Sequence, residues 1–164
     1  MQELNIHNID NNIKNILNND ISFEYSYISN NTDDTIHLAK SFAKFLKCSD
    51  IIVLNGELGS GKTVFMSGIA DYFGIEDQIS SPTFTIVNEY TINDSNTIFH
   101  FDVYRIEDSN DFLDSIGTEY FSNGICIIEW GNIIKDILPK NSIFIDISKD
   151  ENDYDKRYFK IWRK

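Results

Sequence analysis

The stretch "GELGSGKT", Gly56 to Thr63, constrains this chain more than any other, because it fills every fixed position of G-x-x-x-x-G-K-[ST] between a strand-like run and a helical one. Before it stands "IIVLN" (51–55), short and apolar. After it, "VFMSGIADYFG" (64–74) places Phe65, Ile69, Tyr72 and Phe73 on one expected core-facing side and ends at Gly74, a natural helix stop. Glycines at 56, 59 and 61 let the backbone bend with amide hydrogens turned inward, where a β-carbon would obstruct an approaching phosphate oxygen. The positive end of the following helix adds attraction for an anion. Lys62 offers a point charge to β- and γ-phosphates, and the Thr63 hydroxyl is a ligand for Mg2+. The spacing therefore predicts binding of a nucleoside triphosphate.

A loop of this kind needs a carboxylate at the end of a neighbouring strand, to hold or order the magnesium and its water. Two positions qualify. Glu129 follows four apolar residues in "ICIIEW", and Asp102 sits in the alternating "FHFDVYR", ahead of Tyr104 and Arg105. Spacing does not rank them. Between loop and acids lies "SSPTFTIVNEY" (80–90), where Pro82 disfavours helix at Ser81 and hydroxyls at 80, 81, 83 and 85 suit an extended loop that could meet a γ-phosphate or its water. A polar connection leading into a strand at "TIVNEY" is the plainer reading of the same residues. His100, between two phenylalanines, reads as a satisfied strand histidine, Cys126 as core and Cys48 as an inert thiol near a helix end.

The rest of the chain frames this motif. Residues 1–20 are asparagine-rich, with Ile9, Ile13, Ile16 and Leu17 in roughly helical spacing, which fits either a short amphipathic helix or a loosely held extension. Residues 21–164 read as one domain: a strand at 21–29, an amphipathic helix entered through Asn, Thr and Asp caps, and apolar runs at 51–54, 98–104 and 125–130. Such runs, separated by helical stretches, predict an α/β fold whose mostly parallel central sheet is buried on both faces. "SIFIDI" (142–147) and "KRYFKIW" (156–162) predict a closing C-terminal antiparallel hairpin.

Charge narrows the partners. Fourteen Lys and Arg stand against 26 Asp and Glu, a formal −12, which points away from an unaided grip on nucleic acid; a local basic patch would have to work against the overall field. Two cysteines without metal-like spacing, no signal-peptide pattern and no bilayer-length apolar run predict a reducing, cytoplasmic setting without a membrane.

Five stretches in register, "GELGSGKTVF", "SSPTFTIVNEY", "IFHFDVYRI", "FLDSIGTEYF" and "ICIIEWGNII…LP", together resemble the TsaE family, formerly YjeE, over about residues 21–160. The resemblance implies a three-layer P-loop NTPase fold with helices on both sheet faces. It also implies ATP with Mg2+, and hydrolysis that is weak alone and productive with the TsaB–TsaD heterodimer, which places threonylcarbamoyl on adenosine 37 of tRNA. The tRNA is then met only through that complex. Carried over by position, the nucleotide contacts run through Gly56, Leu58, Gly59, Ser60, Gly61, Lys62, Thr63 and Val64, with Thr32, Thr85 and Asn132. Lys62, Asp102 and Glu129 are implied as catalytic, Thr63 and Glu129 as metal ligands, Ser81 and Thr85 as parts of a switch-like loop, and Trp130 as a wall of the site. Two departures stand out: Asn132 where relatives often carry Glu or Gln, and a first twenty residues with no counterpart.

Two other classes share the loop. A small-molecule kinase needs a substrate pocket, often under an arginine-bearing lid, and Arg105, Arg157 and Arg163 are all the arginines present. A GTPase-type switch with negligible turnover would use D-x-x-G, matched by "DSIG" (114–117) in a helical segment, but no N-K-x-D guanine signature occurs.

Overall fold

A computed structural model of the chain describes residues 2–18 and 24–163. Strands too apolar to tolerate water on either side form its centre: β2 (Ile51–Asn55) and β5 (Ile125–Glu129) are buried at every position. Around them lie β1 (Glu24–Ser29), β3 (Val87–Asn93), β4 (Asn96–Asp102), β6 (Ile143–Lys149) and β7 (Arg157–Arg163) in one seven-stranded sheet of order β1-β7-β6-β2-β5-β4-β3.

The four central strands β6, β2, β5 and β4 are mutually parallel. The expectation of a mostly parallel sheet needs correction, however, because β3 pairs with β4, β7 with β6 and β1 with β7 antiparallel. The cause is connection length: the two-residue turn after β3 and the short loop after β6 reverse the chain, whereas a parallel return needs a longer crossover. The sheet is mixed. Its C-terminal hairpin is the one expected from residues 142–162.

Helices α1 (Gln2–Asn18), α2 (Thr32–Ala43) and α3 (Lys62–Tyr72) cover one face, with Leu38, Phe42, Phe65 and Ile69 packed on Ile52 and Leu54. On the other face α4 (Ser109–Ser115), α5 (Tyr120–Asn123) and a 3-10 turn (Gly131–Ile134) bring Phe112, Phe121 and Ile134 onto Val53, Phe101 and Ile128. Helices therefore lie on both faces, as expected. Asn31 caps α2 by accepting from the Asp34 amide at 2.9 Å. Gly68 lets α3 approach α2 closely, since a β-carbon there would lie 2.7 Å from that of Ala39.

Of the two readings of residues 1–20, the helix holds over Gln2–Asn18, with Ile9, Ile13 and Ile16 buried against α2. Asp10 pairs with Lys44 at 2.6 Å, and the Arg163 guanidinium donates to the carbonyls of Ile16 and Leu17. The first part of the strand expected at 21–29 lies outside the described residues. Tyr72, assigned to the core from its spacing, is 46% exposed; the buried face of α3 runs through Phe65, Met66, Ile69 and Ala70. No helix among the described residues is long and apolar enough to cross a membrane.

Candidate functional site

The site grows from the turn between β2 and α3. Gly56 adopts φ of 149°, and a β-carbon on it would meet the Ile147 carbonyl oxygen at 2.5 Å, so the loop leaves β2 pressed against β6. Gly61, at φ of 112°, stands at the N-cap of α3 without any side-chain cap. The first amides of α3 thus keep their hydrogens unclaimed by the helix, next to the positive end of its dipole. Behind the loop, Lys149 Nζ donates to the Leu58 carbonyl at 2.7 Å and Arg157 Nε to the Ser60 carbonyl at 3.0 Å. Both carbonyls are drawn back toward the β6–β7 hairpin.

Lys62 is buried, with 6% of its surface exposed. Its Nζ donates to the carbonyls of Gly56 at 2.7 Å and Glu57 at 3.1 Å, and sits 4.4 Å from the centre of the Trp130 ring. Burial pulls the ammonium below the usual lysine range, while the carboxylates of Glu129 and Asp102 oppose that shift. Those carboxylates are neighbours, because Asp102 on β4 and Glu129 on β5 are register partners at the ends of parallel strands.

Their surroundings differ. Asp102 Oδ2 accepts from the hydroxyls of Ser81 at 2.7 Å and Thr83 at 2.9 Å, and Oδ1 accepts from the Tyr104 amide at 3.1 Å. Glu129 Oε1 meets His100 Nε2 at 2.9 Å, and among the described residues nothing donates to Oε2. Trp130 follows at φ of 64°, a left-handed turn that lays its indole beside Lys62 and 5.1 Å from the Tyr104 ring. The loop, both acids, the two hydroxyls and these two rings enclose a cavity of about 460 Å³. Among the described residues no three His, Cys, Asp or Glu side chains gather as a metal cluster. Thr63 and Glu129 both line the cavity.

The family model for "Threonylcarbamoyl adenosine biosynthesis protein TsaE" matches residues 29–159. The chain belongs to the TsaE family. Curated TsaE proteins, each named for tRNA threonylcarbamoyladenosine biosynthesis, include that of Bacillus subtilis, 41% identical over 125 residues (75% of this chain, 77% of the relative). That of Treponema pallidum is 35% identical over 122 residues (73% and 88%). Among solved structures, Bacillus subtilis YdiB superposes with a TM-score of 0.69 and 33% identity, over 88% of each chain.

Within this TsaE chain the structure brings most of the expected positions together. Leu58, Gly59, Gly61, Lys62, Thr63, Val64, Asp102 and Glu129 line the one cavity, with Ser81 and Trp130. Gly56 and Ser60 shape the loop from behind; Ser60 is buried, and its hydroxyl has no hydrogen-bond partner among the described residues. Three further positions lie outside the lining, as Gly56 and Ser60 do. Thr32 opens α2 on the surface, Thr85 is exposed and bonded to Asn88 at 3.1 Å, and Asn132 is exposed in the 3-10 turn. Tyr104, Lys149 and Arg157 were not expected as parts of the site, whereas Thr83 was. Thr83 belongs to the hydroxyl-rich stretch, which was its signal; Lys149 and Arg157 reach the loop across 91 and 97 residues, a relation no local pattern carries.

Proposed function

We propose that this chain binds ATP with magnesium in the cavity above Lys62 and hydrolyses it, in support of threonylcarbamoyladenosine formation at position 37 of tRNA by a TsaB–TsaD heterodimer. The observation that carries the reading is the convergence of Lys62, Thr63, Asp102 and Glu129, from three separate segments, on one cavity beside the uncapped start of α3. Membership of the TsaE family supports the biosynthetic role. A cytoplasmic setting, alongside tRNA, follows from the same reading.

The residues fit the ligand. Positive φ at Gly59 and Gly61 gives a backbone that L side chains rarely adopt, and a β-carbon at Gly61 would project into open space on the side where phosphates would approach. The α3 amides would hold phosphate oxygens, and Lys62 would exchange its two loop carbonyls for β- and γ-oxygens. Thr63 and Glu129 would hold the magnesium, which would supply positive charge to offset the charge that develops during phosphoryl transfer. Asp102, with Ser81 and Thr83 already on it, would order the attacking water, and its release of those hydroxyls would couple nucleotide state to the 80–90 loop.

The test is phosphate release from ATP with and without TsaB–TsaD, on wild type and on Lys62→Ala, Asp102→Ala and Glu129→Ala. We expect stimulation by the heterodimer and loss of turnover in all three variants. Phosphate appearing on an added metabolite would replace this reading with a kinase, and preference for GTP without turnover would replace it with a switch.

A further inference from the structure

The pair His100–Glu129 is the most deeply buried ionisable contact among the described residues: 2.9 Å between Nε2 and Oε1, with side chains 0% and 4% exposed. His100 rises from the middle of β4, paired with Ile127 of β5, two residues short of the strand-end acids and on the same face of the sheet. Tyr90 lies tilted over the imidazole, ring centres 6.4 Å apart. The other ring nitrogen, Nδ1, is buried and has no hydrogen-bond partner among the described residues. A buried histidine meeting a carboxylate through one nitrogen has few arrangements open to it.

With the hydrogen on Nδ1, a buried N–H would be orphaned and the Nε2 lone pair would face an oxygen lone pair. With the hydrogen on Nε2, a charge-assisted bond forms to Glu129, the clash of lone pairs is removed, and a bare acceptor at Nδ1 is the one unmet group. We infer that His100 is a positioning residue for the cation site: as its Nε2–H tautomer it fixes Oε1 of Glu129, so that Oε2 is the oxygen presented to a divalent cation. This rests on the reading of Glu129 as a magnesium ligand. Outer partners that orient ligating carboxylates are worth 10- to 100-fold in metal affinity.

Two isosteres separate orientation from mere filling. In His100→Gln the side-chain amide nitrogen can reach the place of Nε2; in His100→Asn it can reach only that of Nδ1. Mn2+ affinity, read by electron paramagnetic resonance in the presence of a non-hydrolysable ATP analogue, should stay within about threefold of wild type for His100→Gln and weaken about tenfold for His100→Asn. Analogue binding without metal should be the same in both. Long-range 1H–15N NMR of the unmodified protein should report hydrogen on Nε2. Mn2+ binding by His100→Asn equal to wild type, equal weakening by both variants, or hydrogen on Nδ1 would each overturn the inference. Should both variants fail to fold, the NMR result on the unmodified protein decides. If wild type holds no Mn2+ with the analogue, or Glu129→Gln holds it undiminished, the metal reading itself fails and takes the inference with it.

Discussion

Gly56 shows how much one missing β-carbon can decide. Its φ of 149° and the Ile147 carbonyl 2.5 Å from where a side chain would begin make alanine impossible there without moving the loop off β6. Gly56→Ala should abolish analogue binding, measured by calorimetry. Gly74→Ala is the control: at φ of 69° but in open space, it should lower stability in urea melts by roughly 1–2 kcal/mol and leave binding intact. The two thiols make a second contrast. Burial, with Cys48 adding slightly, pushes the Cys126 thiol up to about 12, while Cys48 is exposed. A thiol-specific reagent at pH 8 should therefore find Cys48 alone, and both only after denaturation. Because the folded value is raised, the stability contributed by the protonated Cys126 is whole below the ordinary thiol range and is lost as pH climbs toward 12. At this scale the sequence exposes Lys62 and Thr63, whose roles follow from neighbours in the chain. It does not rank Asp102 against Glu129, because the ranking lies in partners contributed by other segments: Ser81 and Thr83 on one, His100 on the other.

Among the elements, α1 is the one with two open readings in sequence, since asparagine-rich surfaces weaken every periodicity argument. What holds it is tertiary: Ile9, Ile13 and Ile16 close over α2, and Asp10 meets Lys44. Ile13→Ala should thus cost about 2–5 kcal/mol in chemical denaturation, with analogue affinity unchanged because α1 contributes no residue to the cavity lining. A merely frayed segment would show no loss. The strands were legible because β2 and β5 are apolar at nearly every position, a pattern that only a sheet covered on both faces requires. Strand direction was less so. Short reversals before β4 and β7 set the antiparallel edges, and direction leaves no mark on which residues are apolar.

At the scale of the whole molecule, a formal charge of −12 sets a repulsive field against nucleic acid, and the proposed function meets it by having the TsaB–TsaD pair carry the tRNA. If nucleotide loosens Ser81 and Thr83 from Asp102, then affinity for the TsaB–TsaD pair should be about tenfold higher with ATP analogue than with ADP or no nucleotide, in sedimentation or calorimetry. Equal affinity in all three states would dissociate the 80–90 loop from docking. The sheet order carries a different consequence. Among the described residues β1 pairs with β7 alone, Ser29 opposite Arg157. During synthesis Glu24–Ser29 leaves the ribosome first and must wait, unzipped, until Arg157–Arg163 has emerged. A nascent chain stalled in that interval presents Tyr25, Tyr27 and Ile28 on a bare edge, a surface that invites chaperones or aggregation.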